Sequence, residues 1–220
     1  MRNKFKLLLV AVVILFGFSI FGCATTKSYV DPGYGRATYD DIIRRSEPYR
    51  VKIFVEFQRN GKHLPQADSE LMGHVERVVR GTGFAIPATQ DTSGELKVVV
   101  NNIADLGKAA AKGIGTGLTF GLAESTVTDY YEMEVSLSLN DKVIKRTGYK
   151  HALHSTIGLK NAPEGFEPMT PSAAFGKVVE QLILNFINDI QKSDELSLLF
   201  RIRESSALTS LLQPTANLCG

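Results

Sequence analysis

Residues 131 to 139 read Tyr-Glu-Met-Glu-Val-Ser-Leu-Ser-Leu, an unbroken alternation of apolar and polar side chains. Successive side chains of a strand point to opposite faces, so this run fits a strand with one buried and one wet face. A chain that contains such a strand must cover its apolar side. Residues 175 to 190 supply the cover: Phe175, Val178, Val179, Leu182, Ile183, Phe186, Ile187 and Ile190 fall on one stripe of a helix. Thr170 is placed to cap that helix and Pro171 to occupy its first turn.

The other elements follow the same two periods. Val51, Ile53, Val55 and Phe57 alternate with Lys52, Phe54, Glu56 and Gln58, a second half-buried strand. Asn60-Gly61 then marks a tight turn with a short return arm, since Pro65 follows closely. Leu71, Met72, Val75, Val78 and Val79 predict a helix started by Asp68 or Ser69 and ended by Gly81 or Gly83. Residues 84 to 86 read as a short strand stopped by Pro87, and residues 96 to 103 as a central, covered strand. Residues 143 to 153 return as hairpin partner of 131 to 139. There Ile144 favours one face while Val143, Tyr149 and Leu153 favour the other, which predicts a bulge near Gly148. The order predicts an α+β fold: a mostly antiparallel sheet with two helices packed on one face. It resembles the small periplasmic domains of transport-auxiliary and assembly-factor lipoproteins over about residues 50 to 191.

The N-terminus carries an address. Arg2, Lys4 and Lys6 precede fifteen uncharged residues, 7 to 21, and Gly22-Cys23-Ala24 close the segment. This is the layout of an export signal, and the cysteine makes it resemble a bacterial lipoprotein signal, with Ile20 and Gly22 at lipobox positions and Phe21 bulkier than the pattern. The resemblance implies removal of residues 1 to 22, diacylation of the Cys23 thiol and a mature chain held to a membrane. Ala24, where inner-membrane retention usually has Asp, implies the periplasmic face of the outer membrane. Two other fates stay open: a retained membrane span, for which the apolar run is short of the usual ~18–20 residues, and cleavage after Ala24 to release a soluble protein. Residues 23 to 40 lack apolar periodicity and predict a flexible, lipidated tether, ahead of a domain over 41 to 192 and a tail over 193 to 220 that suits either an edge strand or a helix.

Removing the signal takes three basic side chains, so the formal charge falls from +2 to 2 − 3 = −1. The basicity of the precursor therefore belongs to targeting and implies no nucleic-acid partner. Cys219 is the only other cysteine, so the fold rests on its core and not on a disulfide framework. His151 and His154 sit an odd number of residues apart on a strand and point to opposite faces, which argues against a shared metal. No nucleophile elbow, phosphate loop or zinc motif is spelled out. Glu132 and Glu134 share a face with Ser136 and Ser138 and read as the solvated side of the sheet. No catalytic residue, metal or cofactor is assigned.

The unusual stretch is the apolar loop 107 to 128. Gly113, Gly117 and Gly121 are spaced by four, with Ile114, Leu118, Phe120 and Leu122 among them and no charge from 113 to 123. Glycines at that spacing allow close backbone approach, and the large side chains offer an apolar surface, so these seven residues are the candidates for membrane or partner contact. The expectation is a non-catalytic envelope lipoprotein serving as adaptor or accessory subunit of a membrane-associated complex. The alternative is a carrier of lipid or another small ligand.

Overall fold

The computed structural model describes residues 26–35, 37–104, 125–139, 142–157, 166–193 and 196. Its strands are β1 (Thr26–Val30), β2 (Tyr49–Arg59), β3 (Lys62–His63), β4 (Ala85–Pro87), β5 (Gly94–Ala104), β6 (Ser125–Leu139) and β7 (Lys142–Ile157). Helix α1 spans Asp68–Thr82 and helix α2 spans Pro171–Lys192. The strands form one sheet in the order β1-β7-β6-β5-β2-β3, with β4 also paired to β2. The fold is α+β, as expected.

The sheet's inner face is the alternation seen in the sequence. Val51, Val98, Val100, Met133, Val135 and Leu137 are all buried there, and the stripe of α2 from Val178 to Ile190 closes over them. The Thr170 hydroxyl accepts the Ala173 N–H at 3.3 Å and Pro171 opens α2. Asn60 and Gly61 both have positive φ, 51° and 75°, as the tight turn between β2 and β3 requires.

The β2–β5 pair at the centre is parallel, from Val51↔Gly94 to Arg59↔Asn102. Helix α1 and the short β4 return the chain to the end where β2 began, so β5 must run the same way. Its covered position is real on one side only: Val98 and Val100 are buried, whereas Val99 lines the open face. The cap of α1 also differs from expectation. Asp68 lies inside the helix, and its carboxylate accepts the Phe57 N–H at 2.8 Å and meets His63 Nε2 at 2.7 Å. The helix ends as expected, at Gly83 with φ 65°.

The bulge on β7 accounts for the mixed pattern there. Met133 pairs Tyr149 and Val135 pairs Arg146, so Thr147 and Gly148 together oppose Glu134. Gly148 takes φ +85°. The extra residue lets Ile144 face inward before the bulge and Leu153 face inward after it, and both are buried.

The flexible coil expected over residues 23 to 40 is corrected in part. Residues Thr26–Val30 form the edge strand β1, paired antiparallel with β7 from Thr26↔Ile157 to Val30↔Leu153. Buried Ser28, whose hydroxyl pairs with that of Ser155 at 2.7 Å, sits next to buried Tyr29, so polar and apolar burial mix and no apolar period announces the strand. Farther on, Ala37 and Ile42 are buried against α2, where Asn185 binds the Ala37 N–H and the Gly35 carbonyl.

Candidate functional site

The residues singled out in the sequence, Cys23, Gly113, Ile114, Gly117, Leu118, Phe120, Gly121 and Leu122, lie outside the described residues. Most of the tail over 193 to 220, with Cys219, also lies outside them. The described strands that flank these segments are in register with one another. Ile157 pairs with Thr26 on one side and with Ser125 on the other. Ala104, the last residue of β5, pairs with Asp129 on the same β6. Three strand ends therefore share one row: the one three residues after Cys23, the one entering β6 after residue 124 and the one leaving β7.

Three segments are tied together beside that row. His154 of β7 meets Asp31 Oδ2 through Nε2 at 3.1 Å and Thr128 Oγ1 of β6 through Nδ1 at 2.9 Å. Asp31, in the turn after β1, also accepts the Gly33 N–H at 2.7 Å. Burial alone would raise the Asp31 carboxyl, but the Gly33 N–H and His154 outweigh it and hold it below the ordinary carboxylate range. The Tyr29 ring lies 5.3 Å from the imidazole. With Nε2 protonated, neutral imidazole donates to Asp31 and accepts from Thr128; when doubly protonated it donates to both. The imidazole thus ties β6, β7 and the turn after β1 together. His151 points to the opposite face and stacks on Tyr34 at 5.1 Å, so the two histidines do not converge. Among the described residues no group of three His, Cys, Asp or Glu side chains could hold a metal ion.

The outer face of the sheet is polar, and its charges are paired across strands. Lys145 reaches Glu134 at 2.7 Å, Lys150 reaches Glu132 at 3.1 Å and Lys97 reaches Glu56 at 4.0 Å. Glu132 and Glu134 are thus the solvated side of the sheet and each holds a lysine. Between the helices, Glu180 is 6% exposed. It binds Arg77 Nη1 at 2.9 Å, Lys177 Nζ at 2.8 Å and the Tyr39 hydroxyl at 3.3 Å. Burial opposes its ionisation, yet Arg77 and Lys177 prevail and hold its carboxyl below the ordinary range. Each of these carboxylates has a structural partner.

A groove opens between β1, the segment 166–169 and α2. It encloses about 400 Å³ and is lined by Tyr29, Val30, Phe166, Met169, Lys177 and Gln181, among others. Tyr29 and Phe166 have ring centroids 5.1 Å apart, and Met169 bonds its backbone to Ser28 in both directions at 2.9 Å. Sequence reading missed this groove and the Asp31–His154–Thr128 tie, because both depend on β1. The one available signal was Asp31-Pro32-Gly33, a turn with a side-chain acceptor.

Over the described residues the geometry defines a class, an α+β domain with a seven-stranded sheet and two helices on one face. No family model matches the chain, and no curated protein matches it. Among solved structures it is similar to a PelC dodecamer from Paraburkholderia phytofirmans, at 11% identity over 73% of this chain and 96% of that one, with a TM-score of 0.29. A putative neuraminyllactose-binding hemagglutinin homolog from Helicobacter pylori aligns at 9% identity, covering 74% and 95%, with a TM-score of 0.32. A DUF4136 family protein from Bacteroides thetaiotaomicron aligns at 14% identity, covering 78% and 98%, with a TM-score of 0.26.

Proposed function

We propose that this protein is a non-catalytic lipoprotein of a bacterial envelope, acylated at Cys23 and serving as adaptor or accessory subunit of a membrane-associated complex. The observation that carries the reading is the shared row of Thr26, Ile157 and Ser125. The chain that leads back to Cys23 and the segment that carries Ile114, Leu118, Phe120 and Leu122 join the sheet at the same end. An anchor there directs the apolar segment toward the bilayer or a partner embedded in it. The carboxylates and histidines described above are engaged in structural ties, which favours a binding role over an enzymatic one. Among the described residues no helix is long and apolar enough to cross a membrane. The favoured site is the periplasmic face of the outer membrane, on the strength of Ala24.

Metabolic labelling with a palmitate analogue tests the anchor. The parent protein takes up label, and Cys23→Ser takes up none and accumulates as precursor, because the thioether needs the thiol. Equal labelling of both would overturn the lipoprotein reading. The carrier reading has one observation in its favour, the groove beside Tyr29 and Phe166.

A further inference from the structure

We propose that a gap in the outer edge of β2, from Lys52 to Glu56, docks an extended segment of a partner protein, which joins the sheet as a short antiparallel strand. The inference rests on the adaptor reading, gives its partner a place on the fold and is independent of acylation at Cys23. β4 pairs with β2 at Tyr49–Val51 and β3 pairs with it at Gln58–Arg59, and no described strand lies between them on that edge. There the Tyr49 N–H donates to the Phe84 carbonyl at 3.2 Å, and the Val51 carbonyl accepts the Ala88 N–H at 2.9 Å. The Phe57 carbonyl accepts the Leu64 N–H at 2.8 Å, and the Phe57 N–H donates to Asp68 Oδ1 at 2.8 Å. Odd-numbered residues of β2 thus turn their backbone polar groups to this edge. By that alternation Ile53 and Val55 present two N–H and two carbonyl groups to the gap. A strand laid antiparallel, with one residue opposite Ile53 and another opposite Val55, bonds to all four.

The side chains around the gap specify the guest. Ile53 and Val55 are only half-buried, whereas Val51 and Phe57, before and after them on the same face, are buried. Phe54 is 38% exposed on the other face. The centre of the guest is therefore apolar on both faces. Its ends are set by charge: an antiparallel guest carries an acid opposite Lys52 and a base opposite Glu56. The open edge of β7 is built the other way. β1 covers it only from Leu153 onward, and the stretch before that holds Lys142, Lys145, Arg146, Lys150 and the bulge, devices that keep strands off an edge. A second copy of this chain cannot lay its own β2 in the gap, because a strand of eleven residues would run into β3 and β4. The guest enters and leaves the plane of the sheet within the gap, as a loop or a chain end does.

The test uses full-length protein in detergent and an amidated peptide, Arg-Val-Tyr-Val-Glu, that carries fluorescein on a glycine spacer. Anisotropy reads binding, and hydrogen–deuterium exchange reads its place; neither depends on the Cys23 labelling result or on an envelope partner. The peptide should bind saturably and slow exchange over residues 52–57 at least about fivefold. Methylating the backbone nitrogens of its two valines removes the donors to the Ile53 and Val55 carbonyls and should weaken binding at least about tenfold. The charge-reversed peptide, Glu-Val-Tyr-Val-Arg, should bind the parent less well and be preferred by a Lys52→Glu, Glu56→Lys variant, whose changes lie on the solvated face. Unsaturable binding, protection that falls on 142–150 and spares 52–57, undiminished binding of the methylated peptide, or indifference to charge reversal would each overturn the proposal. So would protection of 52–57 that rises with protein concentration in the absence of peptide, which would make a second copy the occupant.

Discussion

Gly94 shows how much a single position can decide in this fold. It opens β5 opposite Leu139, and a β-carbon there would run into the Ser138 carbonyl oxygen. Backbone cannot rotate out of the way as a side chain can, so Gly94→Ala must splay the end of the β5–β6 ladder. We expect a loss of about 1–3 kcal/mol in denaturant unfolding, whereas Gly35→Ala, where nothing lies within 4 Å of the added carbon, should be far milder. Phe186, 1% exposed in the stripe of α2, is the other extreme. Phe186→Asp buries an unpaired carboxylate at a cost of at least several kcal/mol, against a typical total stability of ~5–15 kcal/mol. Its far-ultraviolet melt should show no folded baseline.

Asp31 gives the residue scale a pH dependence. Its carboxyl is held below the ordinary range in the folded chain, and a depressed folded pKa means stability that is present above the unfolded value and lost as pH falls through the folded one. The unfolded value is near 3.8. Asp31→Asn should therefore melt lower than the parent at pH 5 to 7, with the gap closing below about pH 4. A gap that widens in acid would show that the Gly33 N–H and His154 do not favour the charged form.

At the scale of elements, β7 carries the most informative irregularity. Deleting Gly148 removes the bulge, and a one-residue slip would turn either Ile144 or Tyr149, His151 and Leu153 away from the core. The deletion should cost several kcal/mol, comparable to losing two large buried side chains. Gly148→Ala, which keeps the count and only strains φ +85°, should cost on the order of 1 kcal/mol. Similar costs for the two variants in urea unfolding would contradict this account of the register.

The same strand shows what a sequence reveals. Clean periods such as 131 to 139 and the stripe of α2 were legible because burial there is apolar and one-sided. The bulge was legible from Ile144 and Leu153 pulling in opposite directions. β1 was not legible, since Ser28 is buried through hydroxyl and backbone bonds that leave no apolar signature. The parallel β2–β5 pair was also missed, because side-chain alternation is the same in either strand direction. The Asp31–His154–Thr128 tie and the groove at Gln181 both require β1 in place, so they were hidden with it.

For the whole molecule, the long axis of the sheet sets an orientation. β6 covers fifteen residues, about 45–50 Å of extended strand, and Thr26 aligns with one of its ends while Lys142, next to Val143, aligns with the other. If the chain is anchored through Cys23, the Thr26 end lies at the bilayer and the Val143 end far from it. Replacing Leu118 and Phe120 with Ser should then weaken recovery with envelope partners while leaving the melt nearly unchanged. A large loss of stability with recovery intact would make these residues ordinary core.

The most direct measurement places fluorophores on acylated full-length protein at Thr26→Cys or Val143→Cys, in a Cys219→Ser background, and quenches them with headgroup spin-labelled lipid. Both positions are exposed, so labelling should not disturb the core. Strong quenching at position 26 and little at position 143 is the predicted result. Equal quenching at the two sites, or stronger quenching at 143, would contradict an anchor at the Thr26 end and with it the proposed role of the apolar segment.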